Sequence, residues 1–124
     1  MVHSGGERCK RGVAILFDKE VAERITEREK ISDRLMMVKV SAEPVDIVLI
    51  QVYIPTLKYE DEEVEQIYDQ IEDIIRGQKG NTNVIVIGDF NARVGEGSDG
   101  KVIGKYGLGK RNDRGQILSN FCKK

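Results

Sequence analysis

Tryptophan is absent from the sequence, histidine occurs once, and cysteine and proline occur twice each. Each scarcity excludes something. Cys9 and Cys122 stand near opposite ends with no zinc-type spacing around either, which argues against a disulfide framework and against a structural zinc site. The N-terminal "MVHSGGERCKRG" has no apolar segment of the signal-peptide kind. Two free thiols in a reducing, intracellular setting are therefore the default, with nuclear and cytoplasmic locations left open. The single histidine is His3, in a polar stretch, so no imidazole follows it anywhere in the chain. No apolar run approaches the roughly 18 residues of a membrane span, and no membrane partner is expected. Charge of one sign is not in excess either. Lys and Arg total 20, Asp and Glu total 21, and the net charge is -1. Any nucleic-acid partner would have to be held by a local patch or a metal rather than by a global basic field.

What is present reads as one ordered domain. The 124 residues are 40% hydrophobic and 33% charged, a balance that suits a modest core with a solvated surface. Residues 1–11 are expected to be a polar tail and 12–124 the domain. "GVAILF" (12–17) and "RLMMVKV" (34–40) are strand-like by length and composition. The charged segment between them could form a polar hairpin or a short helix; a strand with its connection is the favoured reading. "VDIVLIQVYIP" (45–55) is apolar on both parities, as in a strand with both faces covered, and Pro55 ends it. Val64, Ile67, Tyr68, Ile71, Ile74 and Ile75 recur at three- and four-residue spacing and predict a helix, with acids in its first turn and Arg76 and Gly77 at its close. "VIVIGDF" is a further strand, expected to be buried. A glycine-rich loop follows over 95–115, and "DRGQILSNFCKK" begins another helix.

Strand, helix and strand from 45 to 90 form a βαβ unit, so the two strands are expected to run parallel and to end on one edge of the sheet. Ligands of α/β sheets gather beyond such carboxyl ends. Tyr53 closes the first strand. Asp89 and Asn91 close the second, share strand parity, and are expected to face the same way. Two accounts of them stand side by side: a catalytic cluster, or a carboxylate that caps a turn with a loop running on from it.

The motifs carry a resemblance. "IGDFNARVG" resembles the Gly-Asp-φ-Asn signature of the endonuclease/exonuclease/phosphatase superfamily, the DNase I-like fold. "VYIPT" is similar to that family's Tyr-Ala-Pro strand end, and "ISDRLMMVKV" to a Ser-Asp-Arg strand of its retroelement members. "GKYGLGKRNDRGQILSNFC" resembles the endonuclease domain of RTE-type non-LTR retrotransposons and the craniofacial development protein 2 group. The resemblance spans about residues 12–123, with the motifs in family order. It implies an α/β fold, part of a four-layer DNase I-like sandwich with a mixed sheet, and a Mg²⁺-dependent hydrolysis of DNA phosphodiester bonds. It implies that Asp89 orients or deprotonates the attacking water and that Asn91 bonds the scissile phosphate, both beside the Mg²⁺, with Tyr53 contacting the phosphate. A hard Mg²⁺ suits such oxygen ligands.

The same resemblance shows what the chain does not carry. The family's early metal-binding Glu and late Ser-Asp-His strand have no counterpart here. The chain is therefore read as an internal piece of the domain, incomplete for catalysis. The alternative is a non-catalytic, retroelement-derived remnant or interaction module, and a phosphatase of the same fold acting on a small or lipid phosphate is the third reading. Lys101, Lys105, Lys110, Arg111 and Arg114 lie among the loop glycines. Lys105, Lys110, Arg111 and Arg114 are candidates for phosphate and DNA contact, against a solvated loop. The segment "ERCKR" (7–11) is read as a polar tail. A half-domain would leave an apolar sheet face and strand edges uncovered, through which self-association is expected.

Overall fold

The computed structural model describes residues 1–5, 12–56 and 60–124. The chain divides into two compact units, Met1–Asp89 and Phe90–Lys124. Segment 7–11 and Cys9 lie outside the described residues.

The first unit is mixed α/β, as expected, with a βαβ unit at its centre. Its elements are β1 (Val2–Gly5), β2 (Gly12–Ile15), α1 (Lys19–Ala22), β3 (Ile25–Ser32), β4 (Leu35–Val40), β5 (Asp46–Tyr53), α2 (Asp61–Arg76) and β6 (Thr82–Asp89). The main sheet has the order β3-β4-β5-β6. The first three strands are antiparallel neighbours, and β5 and β6 run parallel with unbroken register from Asp46↔Thr82 to Tyr53↔Asp89. The architecture is compatible with part of an α/β sandwich. Val2–Gly5, inside the expected tail, is a strand paired antiparallel with β2.

Two faces of the sheet are covered by different means. Val13 of β2 packs with Met36, Val38 and Val40 of β4, joined by half-buried Val2, Ile15, Phe17, Val21, Ile25 and Tyr53. On the opposite face Leu35 and Met37 of β4 and Val48, Ile50 and Val52 of β5 are buried. There a groove between Glu27, Met37 and Lys39 on one side and Asp73, Ile74 and Gly77 on the other marks where α2 lies over the strands. The helix buries Val64, Ile67, Tyr68 and Ile71, as its spacing predicts. Ile75, at the end of the predicted stripe, is 37% exposed. Asp61, Glu62 and Glu63 occupy the first turn, where the positive end of the helix dipole favours them, and the side chain of the N-cap residue Glu60 makes no capping hydrogen bond.

The strand β6 corrects an expectation. Its apolar run reads as buried on both faces, yet it is the sheet's last strand among the described residues and one face is open. Ile85 and Ile87 are 44% and 37% exposed, in register with half-buried Leu49 and Gln51. Val84 and Val86, on the α2 side, are half buried. The β2-side cluster centres on β4 and has no member from β6. An apolar run records that a face can be covered, not which element covers it.

The second unit is a loop and one helix, α3 (Asp113–Cys122). Asn112 starts the helix, its side-chain oxygen accepting from the Gly115 N–H at 2.8 Å and from the Arg93 N–H at 3.0 Å. Gly115 lets the helix meet the incoming chain: a Cβ there would lie 1.9 Å from the Arg93 carbonyl oxygen. The expected glycine-rich loop is present, closed on itself by an Asp99↔Ile103 bridge.

Candidate active site

In the first unit, the parallel pairing brings Tyr53 and Asp89 side by side as the last register partners of β5 and β6. The Asp89 carbonyl then accepts the Ile54 N–H at 2.9 Å, so the pairing continues one step past the strand. A third residue reaches the same edge from the β3–β4 turn. The Arg34 carbonyl accepts the Tyr53 N–H at 2.9 Å, and the Arg34 guanidinium carbon lies 5.3 Å from the centre of the Tyr53 ring. Arg34 is buried, its own N–H bonded to Ser32 Oγ at 3.1 Å, while Asp89 is exposed. The edge thus sets a stacked guanidinium, a phenol and a solvent-facing carboxylate in a row. A cation and a phenolic hydroxyl suit a phosphoryl oxygen; an exposed carboxylate suits a water proton.

Arg34 is the residue that sequence reasoning passed over as a site candidate. It was taken as the opening of an apolar strand. The available signal was its position: an arginine heading "RLMMVKV" must be partnered if it is buried.

Asn91 belongs to the second unit, and its backbone corrects the parity argument. Because β6 ends at Asp89 and Asn91 has φ 42°, strand alternation does not carry through to it. Asparagine is among the few residues that enter this left-handed region readily.

The basic residues of the second unit separate into two groups. Lys105 and Lys110 are exposed. Arg111 is engaged internally: it donates to the Val94 carbonyl at 2.9 Å, to Asp99 Oδ2 at 3.1 Å and to Gln116 Oε1 at 3.2 Å. Arg114 is 2% exposed. Of these four, Arg111 braces the unit, Arg114 is buried within it, and Lys105 and Lys110 face solvent. Asp99 is the hub, since Lys123 Nζ (2.9 Å) and Ser119 Oγ (3.1 Å) reach the same carboxylate oxygen as Arg111. Donation from Lys123, then Arg111, then Ser119 draws the Asp99 carboxyl from the ordinary 3.8 down to about 2.

That depression fixes the sign of a pH effect. The folded carboxyl holds its charge longer than the unfolded one, so its stabilisation is present above about pH 4 and is lost as pH falls toward 2. Asp99→Asn is expected to lower the melting temperature at pH 6 and to converge with the wild type near pH 2, as measured by circular dichroism melts across that range. A gap that stays constant with pH would show that charge is not the cause. Partial burial pushes the Cys122 thiol up from its ordinary value.

The resemblance implies a partial Mg²⁺ site at Asp89 and Asn91, with weak or absent binding by this chain. Among the described residues no group of three or more His, Cys, Asp or Glu could hold a metal ion. No helix of the described residues is long and apolar enough to cross a membrane.

No protein-family model matches the chain. Curated relatives do match: over 113 residues it is 32% identical to craniofacial development protein 2 of Bos taurus and 30% identical to that of Tragulus javanicus. The chain is homologous to a segment of craniofacial development protein 2. The match takes in 91% of the chain but only 19% and 20% of those relatives, so the chain spans about a fifth of their length. A 113-residue match within 124 residues leaves at most 11 outside, so it necessarily includes Arg34, Tyr53, Asp89, Asn91 and the lysine loop. The likeness to craniofacial development protein 2 therefore covers both the sheet edge and the second unit's loop.

Proposed function

We propose that the chain is a segment of a DNase I-like phosphodiesterase domain that acts on DNA, holding the phosphate-facing part of its site. The observation that carries this is the pairing of Tyr53 with Asp89 at the carboxyl ends of parallel strands, with Arg34 stacked on the tyrosine. In this reading Asp89 orients the attacking water and accepts its proton. The Asn91 amide donates to the scissile phosphate and the Tyr53 hydroxyl meets a second phosphoryl oxygen. Arg34 is a positioning residue, fixing the tyrosine ring. A Mg²⁺ ion, where a complete domain holds one, would polarise the phosphoryl oxygen. In this reading the segment is incomplete for hydrolysis alone.

Nicking of supercoiled plasmid in Mg²⁺ tests this. The chain alone is expected to be inert. The bovine relative carrying the chain in place of its matched segment is expected to nick, and Asp89→Ala in that chimera to remove the activity. An inert chimera beside an inert parent would favour the second reading, a non-catalytic interaction module.

The open face of β6 favours association with a second copy. From Thr82 to Gly88 the edge strand carries no charge and no proline, the devices that ordinarily discourage edge pairing. Sedimentation equilibrium should show an apparent mass that rises with concentration for the wild type and stays monomeric for Ile87→Lys. A monomeric wild type at the highest concentration would remove this partner.

A further inference from the structure

The second unit exposes two apolar side chains that serve no core. Tyr106 is 89% exposed and Leu108 is 82% exposed, on either side of Gly107. They are not at a loose end. The Gly109 carbonyl accepts the Glu96 N–H at 2.9 Å, and the Ile103 carbonyl accepts the Asp99 N–H at 3.1 Å. Ile103 is buried beneath the loop, and Gly107 lies so close to the Gly95 carbonyl that a Cβ on it would come within 1.9 Å. These contacts bracket the tip and leave the ring standing in water. In the same loop Lys101, Lys105 and Lys110 are all exposed, and no acidic residue occurs from 100 to 112 in a chain of net charge -1. Lys105 Nζ is 6.0 Å from the centre of the Tyr106 ring.

We infer that Tyr106 is a stacking platform for an unpaired nucleic-acid base, with Lys105 and Lys110 on the flanking phosphates. An aromatic face offered on an anchored loop and interleaved with lysines is the arrangement that binds single strands: the ring stacks any base and the ammonium groups follow the backbone. Leu108 adds apolar contact beside the stacked base. The inference rests on the reading that the chain engages nucleic acid, but not on hydrolysis.

The test uses the intact chain and a fluorescently labelled oligothymidylate, followed by anisotropy. Tyr106→Ala should weaken binding roughly 5- to 150-fold, the range of one lost base stack. Its salt dependence should be unchanged, while Lys105→Gln should make the salt slope shallower by about 0.7, the share of one phosphate contact on a single strand. Because the chain has no tryptophan, Tyr106→Trp places a single reporter at the tip. Its emission should be quenched on binding, and its affinity should match or exceed the wild type. Equal binding by wild type and Tyr106→Ala, an unquenched Tyr106→Trp, or no oligothymidylate binding at all would overturn the inference and leave the tip as a protein contact. Binding of the oligothymidylate by this chain when the bovine chimera does not nick would count against hydrolysis and leave the stacking inference standing.

Discussion

Gly88→Ala is expected to unfold, or nearly unfold, the first unit. Gly88 has φ 147°, a conformation that side chains rarely adopt, and a Cβ on it would stand 1.9 Å from the Val52 carbonyl oxygen and 2.8 Å from its carbon. Both obstacles are backbone of the central strand β5, so no side chain can rotate away. Strained backbone of this kind costs about 1–3 kcal/mol and forced overpacking about as much again. Together these approach the whole stability of a small domain, of order 5–15 kcal/mol. Gly80→Ala is the matched control: it also has positive φ, but nothing lies within 4 Å of its would-be Cβ. Urea titrations followed by far-UV circular dichroism should place the Gly88→Ala midpoint far below that of Gly80→Ala. Similar midpoints for the two would show that β6 can draw away from β5 at little cost. The close approach also matters for the site, because it lets the Asp89 carbonyl reach the Ile54 N–H and so sets the carboxylate beside Tyr53.

How far the molecule was legible from its sequence can be followed residue by residue. The α2 stripe is local: Val64, Ile67, Tyr68 and Ile71 declare a buried face by spacing alone, and that face is buried. The βαβ rule carried Tyr53 and Asp89 to adjacent strand ends, where they are register partners. Legibility failed where a long-range neighbour decides. Nothing in "VIVIGD" states that Ile85 and Ile87 lack a covering layer, since the alternation is the same whether a face is covered or open. The Asp99 hub joins residues 12, 20 and 24 positions apart, and no pattern in the loop shows which arginine it takes. Arg111 and Arg114 looked equivalent to Lys105 and Lys110 as cations among glycines. A guanidinium's planar, weakly hydrated fork suits internal bonding of the kind Arg111 makes, whereas an ammonium is strongly hydrated. The parity argument for Asn91 failed for a different reason: alternation was extended two residues past Asp89, where the strand stops.

Asp89→Ala in the bovine chimera should slow plasmid nicking by about 10²- to 10⁴-fold, the range for removing a positioned general base. Asp89 is exposed at the sheet edge, so its replacement opens no cavity in the core. A rate loss without a stability loss is what separates a carboxylate that handles water from one that anchors the strand end. Asn91→Ala should lose about 10²- to 10³-fold, as for one donor to developing charge on a phosphoryl oxygen. Its left-handed backbone adds a small cost in stability, because alanine enters that region less readily than asparagine. Tyr53→Phe keeps the ring under Arg34 and deletes only the hydroxyl, so it isolates the phosphate contact from the stacking. One hydrogen bond to a charged group is worth about 1.5–3 kcal/mol, or roughly a 10- to 150-fold slower rate. Its melting should match the parent chimera. If Tyr53→Phe nicks at the parental rate, the tyrosine is packing for Arg34 and the phosphate contact must be reassigned. If Asp89→Ala nicks at the parental rate, the edge is structural, and the hydrolase reading of this segment falls with it.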